Sequence, residues 1–261
     1  MLGNLVRIRQ RIIKLLQKKK PSLPKAVYVD IFLPDFPINN FRVSHVSDIH
    51  IGEFADKKYC YHIAKTVNSL KADIVFFTGD IISEEVDNVR DQFKFLKKIK
   101  APLGKFGVLG NRELDYNSVN ACNEFYSEVD IKILNNEIEA LIKDGISFNV
   151  LGILENENKG LKILGKNKTP TIMLTHQPKS VLLIKKYKLR PSLMLCGHTH
   201  CGQVMPFGNK ILKKQNQPFI KGINKYGNTT VYVSCGAGHT LLPFRLFTKS
   251  ELTLITINPT R

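Results

Sequence analysis

The sequence is short of acids. Its 261 residues carry 22 Asp+Glu against 39 Lys+Arg, a formal charge of +17. That imbalance favours anionic partners: nucleic acid, anionic lipid or a phosphorylated substrate. Long apolar runs are also missing. None approaches the roughly 20 residues that a bilayer-spanning helix needs. Lysines and arginines interrupt every early apolar run, so no signal peptide is evident. The five cysteines, Cys60, Cys122, Cys196, Cys201 and Cys235, form no CxxC pair. An odd, unpatterned set points to reduced thiols in a cytoplasmic protein. There is no internal repeat and no low-complexity linker, so one domain is the simplest organisation. Hydrophobic residues make up 43% of the chain, enough material for its core.

The N-terminus reads MLGNLVRIRQRIIKLLQKKK. Leu5, Ile8, Ile12, Ile13 and Leu16 recur at helical spacing, with Arg7, Arg11, Lys14 and Lys18 mostly on the other side. Residues 1–26 hold eight Lys+Arg and no acid. The pattern predicts a basic amphipathic helix over 1–25, with Leu5, Ile8, Arg11, Ile12, Leu16 and Lys18 meeting an anionic membrane surface. A solvated helix packed on the domain is the blander alternative. Prolines at 21 and 24 end the helix. The remaining domain is expected over 26–261.

From residue 41 apolar strands alternate with helices. FRVSHVSDIH, ADIVFFTGD, GKFGVLGN, TIMLTHQ, SLMLCGHTH and TTVYVSCG each read as a strand ending in small or polar residues. YCYHIAKTVNSLK and VRDQFKFLKKIK read as helices. The alternation argues for an α/β fold.

Chemistry collects at the strand ends. Asp48 and His50 follow the first strand, Asp80 the second and Asn111 the third. His176 follows TIMLTHQ, and His198 and His200 end SLMLCGHTH. Carboxylate, amide oxygen and imidazole suit Mn, Fe or Zn. Active residues of α/β folds gather outside the carboxyl ends of strands. Seven donors exceed what one ion holds, so two metal ions are expected, bridged by one carboxylate. His45, inside a strand, and His62, inside a helix, are expected to be non-ligands, and His239 to belong to its own loop.

These blocks resemble a known family. DIH, GD, GNR, TH and GHTH are similar to the five motifs of calcineurin-like metallophosphoesterases, over about residues 41–258. HVSDIHIG, CGHTHCGQVMPFG and LPFRLFTKSELTLITI look closest to small bacterial membrane-associated phosphoesterases, which include the UDP-2,3-diacylglucosamine pyrophosphatases of lipid A biosynthesis. The resemblance implies a four-layer αββα sandwich of two mixed sheets flanked by helices. It implies two divalent ions, Mn²⁺ by preference. Asp48, His50, Asp80 and His200 would hold one, and Asp80, Asn111, His176 and His198 the other. Asp80 would bridge them, and Asp80, Asn111 and Arg112 would serve catalysis.

The third block departs from the family's usual Gly-Asn-His: here it is Gly-Asn-Arg-Glu. Gly-Asn-Arg-Asp marks one group of the pyrophosphatases. Arginine cannot act as an ordinary general acid near pH 7. It can grip phosphate oxygens and stabilise developing charge. That suffices when the leaving group departs without a proton, as a phosphate monoester does from a pyrophosphate. Glu113 is expected to orient a neighbour.

The first expectation is therefore a metal-dependent hydrolase, peripheral on the inner face of the cell membrane. It would cleave UDP-2,3-diacylglucosamine, a lipid-linked nucleotide sugar, to 2,3-diacylglucosamine 1-phosphate and UMP. A less specific phosphodiesterase or phosphatase of the same fold is the alternative, with Arg112 only clamping phosphate. The lysine-rich loop over 209–226 offers a second lipid contact or a plain basic surface. A nuclease or nucleic-acid-binding protein is the rival of another class. It is not expected, because the basic residues lack interleaved aromatics.

Overall fold

IVFFT, residues Ile74–Thr78, is buried along its whole length, as a parallel strand covered on both faces must be. In the computed structural model, which describes residues 21–154 and 169–260, this strand lies within one of two six-stranded sheets. The first half of the chain supplies β1 (Lys25–Leu33), β2 (Phe41–Val46), β3 (Ile74–Thr78), β4 (Lys105–Val108) and β5 (Ile131–Ile133). The second supplies β6 (Glu137–Lys143), β7 (Ile146–Gly152), β8 (Thr171–Leu174), β9 (Leu193–Cys196), β10 (Gly222–Tyr226) and β11 (Thr229–Val233). The last strand, β12 (Glu251–Pro259), returns to the first sheet.

Both sheets are mixed. β2, β3, β4 and β5 run parallel, β12 lies antiparallel to β2, and β1 runs parallel along β12. β7, β8, β9 and β11 run parallel, with β6 and β10 antiparallel at the two edges. The sheets meet face to face. Alternation along each strand divides its residues between two cores. Ile74 and Phe76 face the other sheet, and Val75 and Phe77 face the helices. Ile172 and Leu174 face inward in the same way, and Met173 faces outward.

Helices α1 (Lys57–Ser69), α2 (Val86–Phe93), α3 (Asn111–Tyr116) and α4 (Val119–Ser127) follow strands of the first sheet, and the buried side chains of α1, α2 and α4 pack on its outer face. α5 (Val181–Tyr187) covers the second sheet, and α6 (Phe207–Lys214) follows the loop after β9. α1 shows why the sequence folds so. Asp56 caps it by accepting from the Tyr59 amide, and Tyr59, Cys60, Ile63, Ala64 and Val67 form its buried stripe. The expected four-layer αββα sandwich is thus the architecture observed.

Three features differ from the sequence reading. β1 starts at Lys25, so the boundary drawn between residues 25 and 26 falls at a strand; its alternation was masked by the prolines on both sides. The hairpin β6–β7 turns at Asp144-Gly145, both at positive φ, the turn chemistry that a two-residue hairpin loop demands. Cys201 and Cys235 are not reduced thiols but a disulfide, with Cα atoms 4.7 Å apart. They stand 34 residues apart, and only the parallel pairing of β9 with β11 brings the two loops together. Cys60, Cys122 and Cys196 are buried and stand outside the disulfide. The amphipathic segment with Leu5, Ile8, Arg11, Ile12, Leu16 and Lys18 lies outside the described residues. Among the described residues, no helix is long and apolar enough to cross a membrane.

Phe36, Phe41 and Phe148 stack and cross between the sheets at centroid distances of 5.1 to 5.8 Å, all fully buried. Phe148→Ala is expected to cost about 3–5 kcal/mol, the range for an aromatic core deletion. The urea midpoint should fall without a change in slope. A loss below about 1 kcal/mol would show that the inter-sheet layer collapses around the cavity.

Candidate metal centre

Every candidate donor stands just past a strand end. Asp48 and His50 follow β2, Asp80 follows β3, Asn111 and Arg112 follow β4, His176 follows β8, and His198 and His200 follow β9. The turns are tight. Asp48, His50, Asp80, His198 and His200 all adopt left-handed backbone, with φ between 48° and 69°. Such conformations cost roughly 1–3 kcal/mol each away from glycine and persist only where the surroundings enforce them. Here backbone bonds do so: Asp48 N to Gly79 O at 3.0 Å, His50 N to Asp80 O at 3.0 Å, and Gly238 N to Asp48 O at 2.7 Å. Close approach also requires glycine at 110 and 197. A Cβ on Gly110 would strike the Asp80 carboxylate, and one on Gly197 would strike Asp48 and Ser47.

The loops bring the donors into two groups, each drawn from both sheets: Asp48, His50 and His200, and Asp80, His176 and His198. Within each group the donor atoms lie within 4.8 Å of one another. His50 Nε2 and His200 Nε2 are 2.9 Å apart, and His198 Nδ1 and His176 Nε2 are 3.1 Å apart. Asp80 Oδ2 sits between the groups, 3.3 Å from His176 Nε2 and 3.9 Å from His50 Nε2. Asp48 Oδ1 lies 3.6 Å from His200 Nε2.

This set fits divalent cations. Ring nitrogens crowded face to face beside carboxylates leave lone pairs converging on common points, which a cation satisfies. His176 Nδ1 lies 2.8 Å from the Thr78 carbonyl. A carbonyl only accepts, so Nδ1 carries the proton and Nε2 presents its lone pair to the centre. Asn111 Oδ1 is buried with no hydrogen-bond partner among the described residues, an orphan acceptor that costs stability unless a ligand takes it. Burial holds the imidazoles neutral, and so ready as ligands. His50 is lowered to about 4 and His198 to about 3, and His200 lies well below its ordinary value. The two carboxylates differ. Burial and the charge of Asp80 push Asp48 up to about 7 against the pull of His176. Burial also raises Asp80, but His176 and His50 outweigh it and bring the carboxyl below its usual range.

Around the donors lies a shell of positioning groups. Glu113, fully buried, accepts from the amides of Asp80, Ile81, Ile82 and Gly110 and from the Tyr126 hydroxyl, at 2.6 to 3.2 Å. One carboxylate thereby ties the loop after β3 to the loop after β4. Ser47 donates to Asp48 Oδ2 at 2.5 Å and is joined through Thr78 to His45. Ser83 lies 2.7 Å from His50 Nδ1. Arg112 donates its backbone N–H to Asp80 Oδ1 at 2.8 Å. Its guanidinium is part-exposed. Burial lowers His50, and the Arg112 charge adds to that; burial raises Glu53, against the pull of Arg112.

The structure gathers six of the seven expected donors into the two groups and fixes the Arg112 backbone to Asp80, with Asn111 one residue before it. It leaves His45 buried on β2, bonded to Thr78 and edge-on to Tyr232, and His62 on α1, bonded to the Pro24 carbonyl. His239 joins neither group. Arg245 escaped the sequence reading. Its guanidinium, lowered to about 10 by burial, reaches the carbonyls of His200, Gly236 and Gly238 and lies 3.0 Å from His200 Nδ1. Guanidinium only donates, so His200 Nδ1 accepts and Nε2 carries the ring proton toward His50 Nε2. A lone cation inside the apolar run LLPFRLF was the available signal, since a charge in such a run needs partners.

Two outcomes follow from this geometry. Titration calorimetry with Mn²⁺ should show two sites in the wild type. Asp80→Ala should weaken both, and Glu113→Gln should weaken them about 10–100-fold, the usual cost of losing a group that orients ligands. Unchanged affinity in Glu113→Gln would reduce that carboxylate to packing. The metal-free protein should also lose stability in acid. His45, His50, His198 and His239 are held at about 3 or 4, against 6.5 unfolded. Below about pH 6.5 the unfolded chain binds more protons, so their contribution is full above that pH and is lost toward their folded values. Asp48, raised to about 7, opposes them between about pH 4 and 7. Burial raises Glu53 and Glu113 as well, on the side of Asp48, and lowers His200, on the side of the histidines. The histidines titrate nearer this range when unfolded, so the urea midpoint should fall from pH 7 to pH 5, and a midpoint that rises would show the imidazoles protonated in the fold.

Residues 41–202 match the model of the calcineurin-like phosphoesterase family. An uncharacterized metallophosphoesterase of Helicobacter pylori is 32% identical over 248 residues, covering 90% of this chain and 64% of its own length. A transmembrane protein with metallophosphoesterase domain from Danio rerio is 29% identical over 252 residues, covering 90% of this chain and 57% of its own. The chain thus spans less than two thirds of either relative. SoxB, a sulfate thiohydrolase of Thermus thermophilus, superposes with a TM-score of 0.52 at 9% identity over 85% of this chain and 57% of its own, a likeness of fold alone. The matched span holds all seven donors and the strands that carry them, and on that match the chain belongs to the calcineurin-like phosphoesterase family.

Proposed function

We propose that this chain is a metal-dependent hydrolase of phosphoric esters, acting on phosphodiesters and phosphoanhydrides. The observation that carries the reading is Asp80, set between two groups of inward-facing donors with Arg112 beside it. Divalent ions held there would polarise a phosphoryl oxygen and lower the pKa of a bound water, the chemistry of two-metal phosphate sites. Asp48, His50 and His200 would hold one ion, and Asn111, His176 and His198 the other, with Asp80 shared. Mn²⁺ suits these oxygen and imidazole donors.

The protein's own part is positioning and charge. Arg112 offers a forked donor to a phosphoryl oxygen. It stabilises the developing charge without protonating the leaving group. Leaving groups that are already weak bases are therefore preferred. Glu113, through the Asp80 and Gly110 amides, keeps the bridging carboxylate and Arg112 in register.

Arg112 also favours a narrower reading, hydrolysis of UDP-2,3-diacylglucosamine to the lipid 1-phosphate and UMP, since a phosphate monoester departs readily without a proton. A lipid-linked substrate on an anionic membrane surface accords with the basic composition of the chain. The general hydrolase reading needs no lipid and rests on the metal centre alone.

Purified protein with Mn²⁺ is expected to hydrolyse bis-p-nitrophenyl phosphate and to stop on chelation. No turnover with both ions bound would overturn the hydrolase reading. Turnover of the diester but not of UDP-2,3-diacylglucosamine would remove only the narrower one. Arg112→Ala should lower kcat about 10²-fold, the scale of losing one transition-state donor, while metal content holds. A variant that loses its metals yet keeps its activity per metal would make Arg112 a structural residue.

A further inference from the structure

Most large apolar side chains on the surface of a folded protein stand alone and mean little. Six here do not. Phe207 and Ile211 on α6, and Leu241, Phe244, Leu246 and Phe247 in the segment before β12, are all exposed, Phe247 by 84% and Phe207 by 68%. The two segments are one structure. Val204 and Leu246 form a bridge, Met205 N donates to Leu246 O, and Leu246 N donates to Gln203 O. The Gln203 amide reaches the carbonyls of Thr240 and Leu242 at 2.8 and 3.0 Å.

This rim borders the metal centre on two sides. Arg245, inside it, is bonded to His200. Glu53, three residues past His50, accepts from Leu241 N at 3.2 Å. α6 turns an unusual face outward. Leu212 is its buried residue, and Phe207, Lys210, Ile211 and Lys214, at spacings of three and four, share the other side. Lys213 and Lys249 are exposed as well. Glu53 is the acid bonded to the rim, and the rim's own stretch of chain adds none: from Thr169 to Ser250 there are twelve Lys or Arg and no Asp or Glu.

We propose that the rim over residues 203–214 and 240–249 docks on an anionic lipid bilayer. Its aromatic and aliphatic side chains enter the acyl boundary while its lysines meet the headgroups, with the metal centre turned toward the headgroup layer. An apolar tip ringed by lysines is the chemistry of interfacial binding. Lysines without apolar tips would serve any polyanion, but insertion needs the exposed Leu, Ile and Phe, and the aliphatic ones offer nucleic-acid bases no stacking face. The docking stands without the hydrolase reading, and only the meaning of the centre's orientation rests on it.

The chain has no tryptophan, so an introduced one is a clean reporter. The emission of Phe247→Trp in the full chain should shift to the blue on vesicles of phosphatidylglycerol and phosphatidylcholine, and brominated acyl chains should quench it. Ile142→Trp, on exposed strand β6, should do neither. Phe207→Ser with Phe247→Ser should weaken vesicle binding by about tenfold or more per aromatic removed. If the Phe247→Trp protein pellets with vesicles while its indole stays unquenched, another segment holds it, and this overturns the proposal. So does protein that ignores anionic vesicles, or an indole at that position that responds to a DNA oligonucleotide and not to lipid. Turnover of bis-p-nitrophenyl phosphate by the Phe247→Trp protein is read beside it, so failure of docking and failure of the hydrolase reading are told apart.

Discussion

The structure depends on a collision that the fold forces at its strand ends. Two carboxylates and four imidazoles are packed inside the protein with ring nitrogens 2.9 and 3.1 Å apart. In a low-dielectric interior, crowded ring nitrogens and carboxylates cost free energy unless protons or cations join them. Proton sharing relieves only part of this, since burial keeps the imidazoles neutral and drives Asp48 up to about 7. Cations relieve it directly. The left-handed backbone at five of the donors belongs to the same balance, because local strain holds the donors where an ion gains most.

The sandwich exists to hold that collision still. Parallel strands from both sheets end on one side, so each group of donors takes members from each sheet. Loops of this kind would wander if left to themselves. Glu113 prevents it by gathering amides from two loops, and Arg245 does the same for the loop after β9 and the segment after β11. The disulfide Cys201–Cys235 staples those last two segments a second time. Arg112 lies outside this scaffold of buried bonds. Its backbone is fixed to Asp80 and its side chain is part-exposed, the arrangement expected of a group that meets a substrate.

Charge is distributed to match. Acids are drawn to the first half of the chain and to the centre, and the segment from Thr169 to Ser250 holds none. A phosphate-bearing substrate of the proposed hydrolase would meet this basic segment, which would raise its local concentration.

Much of this was legible in the sequence. Asp48-x-His50, Gly-Asp80, Gly-Asn111 and Gly-His198-Thr-His200 each close an apolar run, and a strand can deliver such groups only to its end. That local logic determined the α/β alternation and the place of the candidate donors and Arg112 just past the strand ends. Other features were invisible because they are relations between distant segments. The 34-residue gap between Cys201 and Cys235 carries no periodic signal. The apolar run around Arg245 said that it needs partners, but which partners was decided only when β12 returned beside β2 and set the preceding loop against His200. β1 depends for its strand form on pairing with β12 at the far end of the chain. The exposed rim joins residues 203–214 to 240–249 through the Gln203 side chain and a backbone bridge, neither of which has a local signature. Sequence determined which chemistry each loop carries, because strand periodicity and turn residues act locally. Tertiary structure decided which loops touch, because sheet order and long-range hydrogen bonds are set by packing of the whole chain.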